Sequence, residues 1–357
     1  MEGVAPYFLI PKWGDGSVDS LLQRSGFSFD RVPFGYLGRS RPLWSAITVA
    51  HMPLLQWRIV RGYRDKGCET VIVLNSQAII NAPLALWMLK YLYKADIVLY
   101  LGDIPAETWL HRRVANLANQ LARRVIVISE AVKRGLLAVG FAPERIDVVH
   151  NGLDLEEFMN VVPIDFRARF GWAEESPLIG FVGQFQEGKG VWDFVKAARI
   201  TVGNRDSVRF LLVGPRNLHP KLEHALRAFI DDHGLADHIV FTGRIETMAR
   251  VYAALDILVA PSICEEALGN VVMEAMASGT PVIGTLSGGI PEMIREGETG
   301  FLVAKKDPEE LAAHILRLLK DPELRAKMGT AARERVAEAF DIKNNVRKLE
   351  QLLFSEG

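Results

Sequence analysis

Two glutamates separated by seven residues, Glu266 and Glu274, stand in the segment APSICEEALGNVVMEAMASGTPVIGTLSGGIPEMIREGETGFLV, where the chain's chemistry-capable residues are densest. Glu266 falls in a loop just past an apolar, β-rich run, and Gly269 lets backbone approach a ligand closely. The stretch from Asn270 to Ala277 reads as a helix. Its first turn offers N–H groups at Gly269, Asn270 and Val271 that have no acceptor inside the helix, at the positive end of the helix dipole. That arrangement suits a diphosphate. Glu274, one turn further along, puts a carboxylate beside the anion site, where it could accept two hydrogen bonds from a ribose diol. Glu266 would reach toward a sugar hydroxyl. Gly288-Gly289, followed by Ile290-Pro291-Glu292, makes a second strand-to-helix turn whose amides offer another place for an anion or sugar. A lone helical Glu is usually solvated and a lone Gly-Gly is usually a turn; the joint order and spacing carry the signal.

This run resembles glycosyltransferase family 4, retaining enzymes of the GT-B fold marked by two Glu separated by seven residues. Pro261-Ser262, EAMASGTPVI, the GGIPE turn and the G-x-T-G-F-L-V strand match as well. Upstream, FVGQFQEGKG (181–190) is similar to the family's phosphate loop, with Gly183, Gln184, Lys189 and Gly190 in place. VVHNGLDLEEF (148–158) resembles its N-G-x-D segment, and ISEAVKRGL (128–136) the strand and helix before it. The likeness covers residues 70–340 and is densest from 125 onward. It implies that Glu274 binds the ribose, that Glu266 binds the transferred sugar, and that Lys189 neutralises the leaving diphosphate. The amides of Gly269, Asn270 and Val271 would hold the same group. Arg244 and Ile245 would contact the base through backbone, and Gly288 and Gly289 would line the donor pocket. Asn75 and Ser76 resemble residues on the acceptor side. The resemblance also implies a nucleoside-diphosphate sugar as donor, a glycosyl acceptor, no cofactor and no metal.

Three features depart from the family pattern. Gln184 stands where the phosphate loop usually carries Arg, and an amide brings no charge to a phosphate. Gly102, followed by Asp103, stands where many members place a His facing the sugar; Asp103 is a candidate for that polar role or for the cap of a helix opening near Pro105. The chain also reads as if it began at the family's second strand, without the opening βα unit and its Gly-rich loop; a sheet lacking an interior strand would expose unpaired edges. A nucleotide-sugar-binding protein with little or no turnover, or a truncated form of a longer enzyme, is therefore the alternative reading. A sugar-nucleotide epimerase of similar fold lacks the paired-Glu pattern.

The elements that must position these residues are clearest in the second half. Short apolar runs at 178–183, 209–214, 238–243, 256–262 and 280–285 alternate with helical stretches at 191–202 and 220–233. This is the rhythm of a parallel sheet covered on both faces. Asp307-Pro308 and Asp321-Pro322 are helix starts in an all-helical tail. In the first half, strands are expected at 7–10, 70–75, 96–102, 124–129 and 147–152, and helices at 43–66, 82–94, 106–122 and 130–139, with a linker near 151–172. The expected architecture is α/β: two Rossmann-like domains facing across a cleft. The first, 1–160, is the acceptor side; the second, 161–340, binds the nucleotide-sugar; and a final helix, 342–355, packs back on the first.

Composition fits two domains of ordinary size. The 357 residues are 49% apolar and 24% charged, the balance of a protein with a sizeable core. Lys90 and Lys94 interrupt the most apolar stretch, so no membrane span is expected. The N-terminus has no secretory pattern, and Cys68 and Cys264 match no metal or redox spacing, which together point to the cytoplasm. No Asp-x-Asp pair or His/Cys cluster suggests a metal, and nothing suggests nucleic acid. Residues 1–150 carry 18 Lys/Arg against 12 Asp/Glu, whereas residues 151–357 carry 24 against 31. A basic first domain could meet an anionic acceptor or, peripherally, a membrane surface.

Overall fold

A computed structural model describes residues 6–11, 22–32 and 42–354. The chain divides into two compact units, residues 1–149 with 350–357, and residues 150–349.

In the first unit, β1 (Tyr7–Pro11) and β2 (Ser28–Val32) pair in parallel. The helix α1 (Pro42–Lys66) leads into a four-stranded parallel sheet of β3 (Thr70–Val73), β4 (Asp96–Leu101), β5 (Arg124–Val127) and β6 (Ile146–Val148), in that spatial order. Ile97, Val98 and Leu99 on β4 and Val125, Ile126 and Val127 on β5 are all buried, which is why these strands read as unbroken apolar runs. Among the described residues, no ladder joins the β1–β2 pair to β3–β6.

The helices of this unit correct two expectations. The helix expected over 82–94 is the shorter α3 (Pro83–Tyr91), and a helix that was not expected, α2 (Ser76–Asn81), comes before it. Asn75 Oδ1 accepts the Ala78 N–H at 2.8 Å and starts α2. Pro83 opens α3, where its missing N–H is no loss. The next helix, α4 (Trp109–Leu121), is capped by Thr108, so Asp103 does not cap it. The intervening Ile104 and Pro105 instead pack against Gly135 on α5 (Glu130–Ala138).

The second unit holds six parallel strands: β7 (Leu178–Val182), β8 (Arg209–Val213), β9 (Ile239–Gly243), β10 (Ile257–Ala260), β11 (Val282–Thr285) and β12 (Gly300–Val303). Their spatial order is β12-β11-β10-β7-β8-β9. The first strand, β7, therefore lies in the middle. The chain steps out through β8 and β9 on one side, then returns through β10, β11 and β12 on the other. The connections that follow β7 and β10 lead to opposite sides of the sheet at this reversal, where open α/β sheets bind ligands. The helices here are α6 (Phe166–Phe170), α7 (Val191–Asn204), α8 (Pro220–Asp232), α9 (Met248–Tyr252), α10 (Asn270–Ala277), α11 (Ile290–Met293), α12 (Pro308–Lys320) and α13 (Pro322–Ala339). The rings of Phe181, Phe194 and Phe210 follow one another through the core, tilted and then edge-on, with centroids 5.7 Å apart at each step. Asp307 and Asp321 cap α12 and α13 through the Glu310 and Leu324 N–H groups, at 2.8 and 2.9 Å.

The stretch expected to be a linker is not free chain. Leu153 N–H donates to Phe340 O, Ile164 N–H donates to Arg250 O, and Phe158 is buried with its ring beside Tyr252. The last helix, α14 (Ile342–Phe354), runs from the second unit into the first, where Arg123 donates to Leu353 O at 3.0 Å. No helix among the described residues is long and apolar enough to cross a membrane.

Candidate functional site

The loops leaving β7 and β10 meet where the strand order reverses. Gly190 closes the β7 loop in the left-handed region, φ 70°, and begins α7. A side chain there would collide with the Pro261 carbonyl, so only glycine lets the two loops touch. The contact is hydrogen-bonded too, because the N–H groups of Ile263 and Cys264 both donate to Gly188 O, at 2.9 and 3.0 Å.

This junction brings two expected residues together. Lys189 Nζ donates to Glu266 Oε1 at 2.6 Å, and Ser262 Oγ donates to the same oxygen, also at 2.6 Å. The Glu266 side chain is 14% exposed and that of Lys189 is 36% exposed. A carboxylate so enclosed needs charge-assisted partners, and these two provide them. Thr285 fixes the arrangement from β11 by donating to Ser262 O at 2.6 Å. Ser262 joins this cluster, although the sequence shows it only as part of the Pro261-Ser262 motif. Its position next to Pro261, four residues before Glu266, was the available signal.

Gly288 and Gly289 are placed against this loop, though not with open amides. The Gly289 N–H donates to Glu266 O at 2.8 Å, and the Gly288 N–H donates to Glu265 Oε2 at 2.6 Å. A Cβ on Gly288, φ 52°, would strike the Glu266 backbone, and one on Gly289 would crowd Ala267 O. The expectation that these amides are accessible to an anion is thereby corrected: the glycine pair holds the Glu266 loop in place. Glu265 is further tied by Lys305 Nζ.

The helix α10 begins at Gly269, φ 95°, with no side-chain cap. The N–H groups of Asn270 and Val271 lie in its first turn and have no acceptor further back in the helix. Leu268 is buried and Asn270 is exposed, so this end of the dipole faces outward just after the Glu266 loop.

Glu274, one turn on, is partly buried and accepts a hydrogen bond from Tyr252 Oη at 2.7 Å. Burial raises its pKa, the Tyr252 hydrogen bond opposes that rise, and the nearby Glu157 charge adds to it. Tyr252 is itself pushed well above the ordinary tyrosine value, first by burial and then by the Glu274 charge. One carboxylate oxygen is thus already engaged, and Tyr252 orients the group. Nothing in the sequence marked Tyr252, which lies 22 residues away on another helix.

The remaining candidates are dispersed. Gly183, φ 150°, follows β7, and its carbonyl lies where a Cβ on Gly214 would clash. Gln184 is exposed and accepts from Gln186 Nε2. Arg244, exposed, and Ile245 follow β9 on the far side of β8. Asp103, Asn75 and Ser76 belong to the first unit: Asp103 is exposed after β4, Asn75 spends its carbonyl oxygen on the α2 cap, and Ser76 opens that helix. Among the described residues, no group of three or more His, Cys, Asp or Glu side chains is placed to hold a metal ion.

The geometry sets a cation, an enclosed carboxylate, a helix N-terminus and a second carboxylate in series. The model of Glycosyl transferases group 1 matches residues 164–335, and that of Glycosyltransferase Family 4 matches residues 18–157. Over 209 residues the chain is 32% identical to the N-acetyl-alpha-D-glucosaminyl L-malate synthase of Bacillus anthracis, covering 58% of this chain and 53% of that protein. Over 202 residues it is 36% identical to the D-inositol 3-phosphate glycosyltransferase of Mycobacteroides abscessus, covering 56% and 44%. The chain thus spans about half the length of the curated relatives it matches. The crystal structure of Anabaena Alr3699/HepE in complex with UDP and glucose superposes with a TM-score of 0.78 at 22% identity, over 97% of this chain and 91% of that one. That likeness establishes the GT-B fold, two Rossmann-like α/β units. With these two family models matching successive parts of the chain and curated glycosyltransferases among its relatives, the protein belongs to the group 1 glycosyl transferases of glycosyltransferase family 4.

Proposed function

We propose that the protein is a metal-independent, retaining glycosyltransferase that takes a sugar from a nucleoside-diphosphate sugar. The observation that carries this reading is the Lys189–Glu266–Ser262 cluster at the strand-order reversal, beside the bare first turn of α10. A diphosphate seated on the Asn270 and Val271 amides would draw Lys189 away from Glu266. The carboxylate would then be released to a sugar hydroxyl. Glu274, held by Tyr252, would take a ribose hydroxyl through its other oxygen. The bond from the anomeric carbon to the β-phosphate oxygen breaks and the acceptor oxygen bonds to the same face, its proton passing to the leaving phosphate. Lys189 and the helix dipole stabilise the charge that develops there. Arg244 and Ile245 would border the base; Asn75, Ser76 and Asp103 belong to the acceptor side. The basic first unit favours a peripheral contact with an anionic membrane surface, where a lipid-linked acceptor would be met.

The Anabaena neighbour was crystallised with UDP, so uridine nucleotides are the first to test. A thermal-shift series of nucleoside diphosphates and their sugars should give a shift of several degrees with one base; no shift with any of them would remove the reading. The uncharged Gln184 in the phosphate loop favours a second reading, sugar-nucleotide binding without turnover. Incubation with the donor that gives the shift decides between them: nucleotide binding with no sugar transferred or released supports the second.

A further inference from the structure

One helix layer of the first unit has an unusual solvent side. Ile59, Val60 and Tyr63 of α1 pack into the cluster that Ala85 and Leu89 of α3 help to form, and Gly62 faces Tyr7 and Leu9 of β1. The opposite side of α1 exposes Trp57, Arg61 and Arg64. The helix α3 buries Ala85, Leu86 and Leu89, and exposes Leu84, Trp87 and Tyr91. The helix α4 buries Val114, Ala115, Ala118 and Leu121, and exposes Trp109, Arg112 and Arg113. The crossovers β3–α3–β4 and β4–α4–β5 advance in the same direction across the sheet, so their right-handedness puts both helices on one face. Since α1 packs on α3, the three outward sides form one surface.

Three tryptophans stand on it: Trp57 is 53% exposed, Trp87 46% and Trp109 74%. The three helices contain seven Lys or Arg and a single acidic residue, Asp65, which pairs with Arg61 at 3.0 Å. Scattered apolar exposure is ordinary, but rows of it on adjoining helices are not. Interfaces with proteins share the aromatic residues and arginine but are depleted in charge at their centres. Here the cations are interleaved with the rings, and the Arg61 guanidinium lies 5.0 Å from the centre of the Trp57 ring. Aromatic bodies with basic groups among them, free of excess acid, are the composition of a surface lying on anionic headgroups.

We propose that the outward face of α1, α3 and α4 docks on a bilayer containing anionic phospholipid. Trp57, Trp87 and Trp109 settle at headgroup depth, and Arg61, Arg64, Lys90, Arg112 and Arg113 face the lipid phosphates. The proposal rests on the membrane part of the reading above and is independent of its donor chemistry.

The test uses the full chain and sedimenting vesicles, either of phosphatidylcholine alone or of an equal mixture with phosphatidylglycerol. The protein should pellet with the mixed vesicles, release as salt is raised, and stay in solution with the neutral ones. Each cation lost should weaken binding about five-fold, so Arg112→Ala with Arg113→Ala should lower it by roughly 25-fold. Trp87→Ser with Trp109→Ser should also release the protein, with the salt dependence unchanged. A thermal shift of each variant with UDP shows that it is folded and keeps its nucleotide site, which separates failure of this proposal from failure of the donor reading. Absence from both pellets, equal binding to both vesicles, or variants that bind as the parent does would each overturn the proposal. So would variants that merely break up a dimer in light scattering.

Discussion

Lys189 and Glu266 are each other's partner, and this shapes what their removal should do. In Lys189→Ala, Glu266 keeps Ser262 but loses its cation, and a diphosphate loses one charge-assisted bond. Affinity for a nucleoside diphosphate should fall by about 1.5–3 kcal/mol, while the corresponding monophosphate should lose much less. Calorimetry with both ligands checks this; equal losses would place Lys189 away from the outer phosphate. Glu274 gives a pH prediction. Its carboxyl has a raised pKa in the folded protein, so the native state holds a proton that the unfolded chain has released. The penalty is absent below the ordinary carboxylate value and grows as pH rises toward the folded value. Glu274→Gln keeps an acceptor for Tyr252 and has no charge to bury. The difference in Tm between Glu274→Gln and the parent should therefore move in the variant's favour from pH 4 upward and then level off. A difference independent of pH would mean that burial does not govern this group.

At the scale of elements, glycines at equal dihedral angles separate strain from contact. Gly171 and Gly190 have φ of 68° and 70°. Nothing lies within 4 Å of a Cβ on Gly171, whereas one on Gly190 would run into Pro261 O. Urea unfolding should find Gly171→Ala destabilised by about 1–2 kcal/mol, the cost of the left-handed backbone alone, and Gly190→Ala by more than about 4 kcal/mol or insoluble. The second unit was readable because local chemistry and burial agree there. The strand LIGFV is covered on both sides, and Asp-Pro pairs announce α12 and α13. The reading failed where two signals competed. Asn75 could equally end a strand or cap a helix, so α2 went unseen before the helix expected from residue 82. Gly288-Gly289 read as open amides because a sequence cannot show that the Glu266 loop already occupies them. Tyr252 was invisible because only the fold brings α9 to α10.

For the molecule as a whole, the two units have separate cores and need not respond alike. With UDP at about 100 times its Kd, binding should add roughly 2.7 kcal/mol to the unit that holds it. Hydrogen exchange should slow in the loops after β7 and β10 and in the first turn of α10. Slowing confined to residues 6–149 would move the nucleotide site to the other unit. The sequence conveyed the two-unit plan through its alternating runs and its charge asymmetry. It did not convey that β1 and β2 form a sheet apart from β3–β6, because strand pairing is long-range and both sets have ordinary β composition.

The central place of β7 also sets an order of events during synthesis. The loop after β7 is made first, but the carboxylate partner of its Lys189 lies 77 residues later, beyond the whole β8–β9 side of the sheet. A nascent chain released before β10 would carry Lys189 with no Glu266 to meet it. The Lys189–Glu266 pair therefore cannot be inherited from a folded N-terminal fragment; it forms only when the returning strand docks against the first.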